Sequence, residues 1–450
     1  MNARAIAMHT LMQVARRGSF PDVLLDIYFK EHPKLDSRDR ALVTELVYGV
    51  LRWQGRLDWI INQQIKIKPD KVELTVRLIL RLAVYQLLFL DRIPAAAAVH
   101  EAVEIAKASQ PKHVVRFVNG VLRAISRKSR LLREAEPEGS AEHRLAMLYS
   151  YPVWLVQRWL TQLGNEETES FCQAGNQIPP TTVRVNTLKT TVPAMVASFK
   201  DLGFLVEPGK FVPETLHLRS IRTDLSSLDQ YEGGNFQVQD EASQLVAHLL
   251  QPQPGERILD ACAGLGAKST HLAQLMENQG EIIALDKQGW KLTRLSENAQ
   301  RLAVSCIEPV EMDVLELEPA EKEPSYERIL LDAPCTGLGV IRRNPDIKWK
   351  VKQKDFRRLH LVQKKMLAKL APLLKPGGVL LYATCTVSEE ENEETVHHFL
   401  AEHPEYQLES ARPYLPPGSV DVVDRSGAVQ TWPQRHGVDG FYAARLRRIN

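Results

Sequence analysis

Apolar residues recur at helical spacing through the first part of the chain. In ALVTELVYGVLRWQGRLDWII, Leu42, Leu46, Val50, Leu57 and Ile61 share one face, with Asp36 or Ser37 placed to cap the helix. The most apolar window, LTVRLILRLAVYQLLFL, is interrupted by Arg77, Arg81 and Gln86. It is too short and too charged to span a bilayer and is expected to be a buried helix. VRFVNGVLRAISRKSR closes the region with Arg123, Arg127, Lys128 and Arg130. No strand pattern occurs before residue 180, so residues 1–135 are expected to form an all-α bundle.

The polar stretch LLREAEPEGSAEHR, with Pro137 and Gly139, is expected to be a linker. Residues 145–235 change character. TTVRVNTL reads as a strand, VPAMVASFKDLG as a helix and HLRSI as a second strand, which together predict a small α+β module. From residue 236 strands and helices alternate. ERILDAC, EIIALD, VEMD, ERILLD and VLLYATC read as strands, with AKSTHLAQLM, KLTRLSENAQRL and FRRLHLVQKKMLAKLAPLL as the helices between them. Such alternation predicts a mostly parallel, Rossmann-like α/β sheet with helices on both faces, whose ligands sit beyond the carboxyl ends of the strands.

Composition narrows the classes of function. With 44% hydrophobic and 25% charged residues the chain is of globular type. Its first residues, MNARAIAMHTLMQ, lack the apolar core of a signal peptide. The five cysteines are odd in number and widely spaced without C-x-x-C, which argues against a disulfide framework and against a metal site. A reducing cytoplasm is the expected compartment, with no membrane attachment and a monomeric chain. The net charge of +2 hides an asymmetry. Residues 1–130 hold 22 Lys and Arg against 12 acidic residues, a net of +10, which leaves −8 for the remainder. A basic end on an acidic body suits a polyanion, although a solvated helical surface would read the same way.

Four predicted strands end on aspartate: Asp260, Asp286, Asp313 and Asp332. One such aspartate is ordinarily a turn or helix cap. Four in succession would line one edge of a parallel sheet. The loop Cys262-Ala263-Gly264-Leu265-Gly266-Ala267-Lys268 follows the first of them, its glycines allowing close backbone approach to a ligand. It carries neither a full G-x-G-x-x-G fingerprint nor a P-loop. Asp286, at the end of the second strand, is placed to bind a ribose diol. An adenosine ligand without a phosphate clamp fits these features, and the cationic sulfonium of S-adenosylmethionine suits a carboxylate-rich rim.

Two cysteines fall at the same predicted edge. Cys335 lies three residues beyond Asp332 in ILLDAPCTGLG, and Cys385 ends the strand of YATCT, just before the acidic tract EEENE. A buried cysteine is ordinarily structural; two at adjacent strand tips beside a cofactor cleft are not. A thiolate that adds to C6 of cytosine makes C5 nucleophilic enough to attack a sulfonium methyl. Asp332 would hold the pyrimidine edge and the second thiol would assist release. The residues alone do not say which thiol attacks.

These segments resemble the paired-cysteine RNA cytosine-5 methyltransferases. The likeness rests on DAPCTG, YATCT, LDACAGLGAKS, RRNPDIKW, VQDEASQ and the terminal DGFYAARL, and covers residues 145–450. It implies a methyltransferase domain over 236–450, with Cys385 as nucleophile and Cys335 in product release. It further implies cofactor binding by Cys262 to Lys268 with Asp286, Asp313 and Asp332. Arg342, Arg343, Lys348 and Trp349 would contact RNA, as would the basic residues 123, 127, 128 and 130 of a NusB-like RNA-binding domain. The implied substrate is a cytosine of 16S ribosomal RNA. The family usually reads CAAPGGK where this chain reads CAGLGAK; Asp260, Gly264, Gly266 and Lys268 remain, so cofactor binding is expected to survive. Two other readings compete. An RNA-binding assembly factor with a vestigial methyltransferase fold would not need both thiols, and a DNA cytosine methyltransferase would leave Cys385 without a role.

Overall fold

The computed structural model describes residues 2–221, 223–317 and 325–449, which fall into two compact units. The first comprises Met1–Gln177 together with the excursion Ile341–Lys350; the second comprises Ile178–Val340 and Val351–Asn450.

The first unit is helical throughout. Its longest helix, Ser37–Asn62, starts where Asp36 accepts the Asp39 amide at 2.7 Å. Leu46, Val50, Leu57 and Ile61 are buried as the spacing predicts, while Leu42 is only half-buried. The apolar window forms Leu74–Phe89 and is buried along most of its length. Its Arg81 is accommodated by a bidentate pair to Asp58, at 2.8 and 2.6 Å. Among the described residues, no helix is long and apolar enough to cross a membrane. The expected linker is not a boundary between units. Its ends are helical, in Ser129–Glu134 and Ala141–Tyr149, and the helices up to Ala174 belong to the same compact unit. In this division residues 145–177 cluster with the helical unit.

In the second unit, strands β1 (Thr181–Val185), β2 (Leu205–Pro208), β3 (Thr215–Arg219) and β4 (Phe236–Val238) form an antiparallel sheet in the order β2-β3-β1-β4. Among the described residues, eight further strands form the main sheet: β5 (Arg257–Asp260), β6 (Glu281–Asp286), β7 (Ile307–Glu311), β8 (Tyr326–Asp332), β9 (Leu374–Thr384), β10 (Tyr406–Glu409), β11 (Val429–Gln430) and β12 (Tyr442–Arg448). The order is β10-β12-β9-β8-β5-β6-β7, with β11 on β12. Strands β5 to β9 are mutually parallel, and β12 enters antiparallel against β9.

Side chains of alternate parity enter two cores. Ile258, Ile282, Leu330 and Leu381 pack with the helices Glu241–Leu250 and Ala267–Leu275, whereas Leu259, Ile283, Leu331 and Leu380 meet Gln353–Leu370 and Glu393–Glu402. Burial on both faces explains why these strands read as continuous apolar runs. The order reverses beside β5, whose neighbours are β6 on one side and β8 on the other. A crevice opens at such a switch point. One expected strand end shifts: β7 stops at Glu311, and Asp313 instead caps a short 3₁₀ turn, accepting the Leu315 amide at 3.0 Å.

Candidate active site

Asp260, Asp286 and Asp332 end β5, β6 and β8, and the register Asp332↔Ala383 brings β8 and β9 to their tips side by side. Between them opens a cleft of about 310 Å³, lined among others by Cys262, Gly264, Asp286, Asp313, Asp332, Cys335 and Cys385. The structure thus gathers most of the expected cofactor and catalytic residues.

The two thiols face each other, with Cys335 Sγ 3.4 Å from Cys385 Sγ. Both residues keep some solvent exposure. Thiols this close do not both ionise. The hydrogen bond to Cys385, then burial, pushes the Cys335 thiol well above the ordinary cysteine range, so Cys335 retains the proton. Behind the pair, the Gly339 amide donates to the Cys385 carbonyl at 3.0 Å, and the Gly440 amide donates to the Gly339 carbonyl at 2.9 Å. A Cβ on Gly339 would lie 1.8 Å from the Gly440 oxygen, so this backbone contact requires glycine.

Lys268 places Nζ 2.7 Å from Asp332 Oδ2 and 5.3 Å from the centre of the Phe441 ring. Burial alone would lower its pKa, but the charge and hydrogen bond of Asp332, with further help from Cys385 and Asp260, leave it raised. It remains an ammonium beside the thiols. Asp260 is fully buried, and Ser269 Oγ donates to its Oδ2 at 2.7 Å. Burial, reinforced by the charge of Asp332 and opposed by Ser269 and Lys268, pushes its carboxyl up to about 7. Asp260 is therefore a structural carboxyl beneath the rim, not an open ligand.

The cofactor loop turns through two left-handed glycines, Gly264 at φ 57° and Gly266 at φ 82°. A Cβ on Gly266 would meet Leu295 Cγ at 2.5 Å, whereas one on Gly264 would meet nothing within 4 Å. Gly264 donates its amide to Asp286 Oδ2 at 3.1 Å, and Gln288 donates to Oδ1 at 2.9 Å. Lys291 Nζ also donates to Oδ2 at 3.4 Å, which leaves the free lone pair on Oδ1 to accept from a diol. Burial, then the charges of Asp260, Asp332, Asp286 and Asp313, holds Cys262 protonated. The open space beside Gly264, the orientation of Asp286 and the carboxylate rim fit an adenosyl sulfonium.

Two residues of the acidic tract lie in the interior. Glu391 and Asn392 are completely buried. Glu391 accepts the Thr336 amide at 2.8 Å, the Thr336 hydroxyl at 2.5 Å and Gln363 Nε2 at 3.3 Å. Glu391 carried no separate signal, since EEENE reads equally well as charge at a helix N-terminus.

The RNA candidates divide. Arg123 and Arg127 are exposed on the helix Lys112–Arg127, opposite its buried face of Val118, Val121, Leu122 and Ile125, and Lys128 and Arg130 just beyond it are exposed as well. The expectation of a solvent-facing RRNPDIKW segment does not hold for Arg342 and Lys348, both buried in the first unit. Lys348 Nζ donates to Asn176 Oδ1 at 2.5 Å, Arg52 O at 3.1 Å and Ser150 O at 3.3 Å, and lies 3.8 Å from the Tyr151 ring centre. Burial, then the neighbouring Arg52 charge, holds the Lys348 pKa well below the ordinary lysine range, and a nitrogen so enclosed has no donor left for a phosphate. Trp349, half-buried, donates Nε1 to Leu51 O at 2.9 Å. Elsewhere, Glu214, His248 and His271 converge; each imidazole Nε2 lies 2.7 or 2.8 Å from Glu214 Oε1, the spacing of hydrogen bonds.

Known proteins are similar to this chain in sequence and fold. The family described as 16S rRNA methyltransferase RsmB/F matches residues 247–447, the NusB family matches 1–127, and an RsmF/B-like ferredoxin-like domain matches 151–223. A probable ribosomal RNA small subunit methyltransferase B of Bacillus subtilis is 37% identical, with 99% of each chain covered. The Synechocystis protein of the same description is 37% identical over the whole of both chains. The crystal structure of PH0851 superposes with a TM-score of 0.81 at 28% identity, covering 99% of each chain. NSun6 from Pyrococcus horikoshii, solved with SFG, covers 67% of this chain and all of its own at 24% identity (TM-score 0.60), a likeness of fold. Joined to the paired thiols and the sulfonium-compatible cleft, these matches show that the chain belongs to the S-adenosylmethionine-dependent RsmB/F ribosomal RNA methyltransferase family.

Proposed function

We propose that this chain transfers a methyl group from S-adenosylmethionine to C5 of one cytosine in 16S ribosomal RNA, through a covalent bond between Cys385 and C6. The observation that carries the reading is the 3.4 Å approach of Cys335 and Cys385 inside the carboxylate-rimmed cleft. Asp286 would hold the ribose diol, Asp313 would complete the nucleoside side, and the backbone from Cys262 to Lys268 would lie along the methionine end. The bound cofactor supplies one electrophilic methyl group.

The protein's own residues supply the rest. Cys385, as thiolate, adds to C6, and the C5=C6 electron pair moves onto C5, which can then form its bond to carbon. The Lys268–Asp332 pair, 2.7 Å apart, offers both an ammonium donor and a carboxylate acceptor to the pyrimidine edge. Loss of the C5 proton to a base then restores the double bond and expels the Cys385 sulfur. Cys335, which keeps its proton, is placed to hydrogen-bond that departing thiolate. The target base would have to leave its stack to reach a thiol at a strand tip. Arg123, Arg127, Lys128 and Arg130 form a basic surface suited to RNA phosphates.

The test is chemical. Unmodified 16S ribosomal RNA incubated with the protein and methyl-labelled cofactor, then digested to nucleosides, should yield label in 5-methylcytidine alone. Label in another nucleoside, or none, would overturn the reading.

A further inference from the structure

The buried pair Glu391 and Asn392 brackets both cysteines. Glu391 takes the amide and hydroxyl of Thr336, the residue after Cys335. Gln363 Nε2, shared with Glu391, donates to the carbonyl of Pro334, the residue before Cys335, at 3.0 Å. The Cys335 peptide is thus held on both sides. Asn392 treats Cys385 in the same way: its Oδ1 accepts the Thr384 hydroxyl at 2.6 Å and its Nδ2 donates to the Thr386 carbonyl at 3.1 Å. The two clamps are joined, because the hydroxyls of Thr336 and Thr386 lie 2.7 Å apart. With the Thr336 hydroxyl donated to Glu391, the Thr386 hydroxyl must donate to Thr336. Adjacent residues of one chain therefore fix where each sulfur sits.

We propose that Glu391 and Asn392 are positioning residues with divided tasks, Glu391 setting the Cys335 loop for release and Asn392 setting the Cys385 loop for attack. Neither touches the reacting atoms. The division rests on the covalent reading above, but the underlying positioning does not, because the sulfur separation can be read directly. Diamide joins two close thiols: the sulfurs form one S–S bond, and their two protons and two electrons pass to the azo bond, which becomes a hydrazine. The linked Cys335–Cys385 peptide is counted by mass spectrometry.

Glu391→Ala should slow that cross-link at least about tenfold, since an ångström of misplacement suffices for such a loss. Glu391→Gln should restore it, its carbonyl accepting the Thr336 amide and its amide donating to the Thr336 hydroxyl. Thr336→Val, which removes one arm of the clamp, carries the same test should Glu391→Ala fail to fold. On ribosomal RNA with cofactor, Glu391→Ala should accumulate a denaturant-resistant adduct, as Cys335→Ala should, whereas Asn392→Ala should lose adduct and methyl transfer together. Cross-linking of Glu391→Ala at the parent rate would overturn the proposal, as would equal losses in both variants that track their melting. If Cys335→Ala itself yields no adduct while the cross-link still depends on Glu391, the covalent reading and the division of tasks fall and the positioning stands.

Discussion

Lys268 Nζ lies 2.7 Å from Asp332 Oδ2, joining the helix after the cofactor loop to the tip of β8. The pair neutralises what would otherwise be a lone carboxylate next to two thiols. Lys268→Met keeps the length of the side chain and removes the charge. It should lower kcat/KM for methyl transfer by about 10²-fold or more, the range of a positioned proton donor. Steady-state kinetics check this, and cofactor affinity by calorimetry should change much less than turnover.

The two loop glycines should respond differently to alanine. Gly266→Ala meets Leu295 at 2.5 Å and forces a side chain into a left-handed backbone. It should cost about 2–4 kcal/mol of stability, combining the backbone penalty with overpacking. Gly264→Ala faces open space and should cost only about 1–2 kcal/mol. Urea unfolding measures both. Because Gly264 lines the cleft, an added methyl there should affect cofactor binding more than folding.

Asp260 should impose a pH dependence on stability. The folded chain keeps its carboxyl protonated up to about pH 7, while the unfolded chain releases that proton near pH 4. Over that interval the folded state binds more protons, so raising the pH destabilises it. The loss should approach about 4 kcal/mol, at about 1.4 kcal/mol for each tenfold difference in proton affinity. Asp260→Asn removes the titration and can still accept the Ser269 hydroxyl. Its unfolding free energy should lack this fall between about pH 4 and 7, as chemical denaturation at a series of pH values will show.

Lys348 should be a stability residue. Lys348→Ala strands the oxygens of Asn176, Arg52 and Ser150 in the interior and should destabilise the helical unit by about 1–3 kcal/mol. Lys348→Met, which refills the space with an apolar chain, should recover the packing part of that loss. Filter binding to ribosomal RNA should change little in the methionine variant, whereas Arg123→Ala combined with Arg127→Ala should weaken it and flatten its salt dependence.

Much of this architecture is written in local patterns. Alternating strands and helices from residue 236, with aspartates at their ends, predicted the sheet, its ligand edge and the meeting of Cys335 with Cys385. Which polar residues turn inward was not legible. RRNPDIKW has the composition of a solvated nucleic-acid loop, yet Lys348 is buried because Asn176 and two carbonyls, distant in sequence, supply its partners. Glu391 is buried for the same kind of reason, through Thr336 and Gln363. Asp260 and Asp286 look alike at strand ends, but Ser269 encloses the first while the Gly264 amide turns the second toward the cleft. Nor did the linker composition of LLREAEPEGSAEHR reveal that the helices after it pack with those before it.

The division of labour between the two thiols is the centre of this account, and trapping the enzyme–RNA bond tests it most directly. Cys335→Ala and Cys385→Ala proteins would be incubated with unmodified 16S ribosomal RNA and S-adenosylmethionine, then resolved under denaturing conditions. Accumulation of a protein–RNA adduct with Cys335→Ala, and none with Cys385→Ala, is the predicted result. An adduct that forms with Cys385→Ala and not with Cys335→Ala would contradict it.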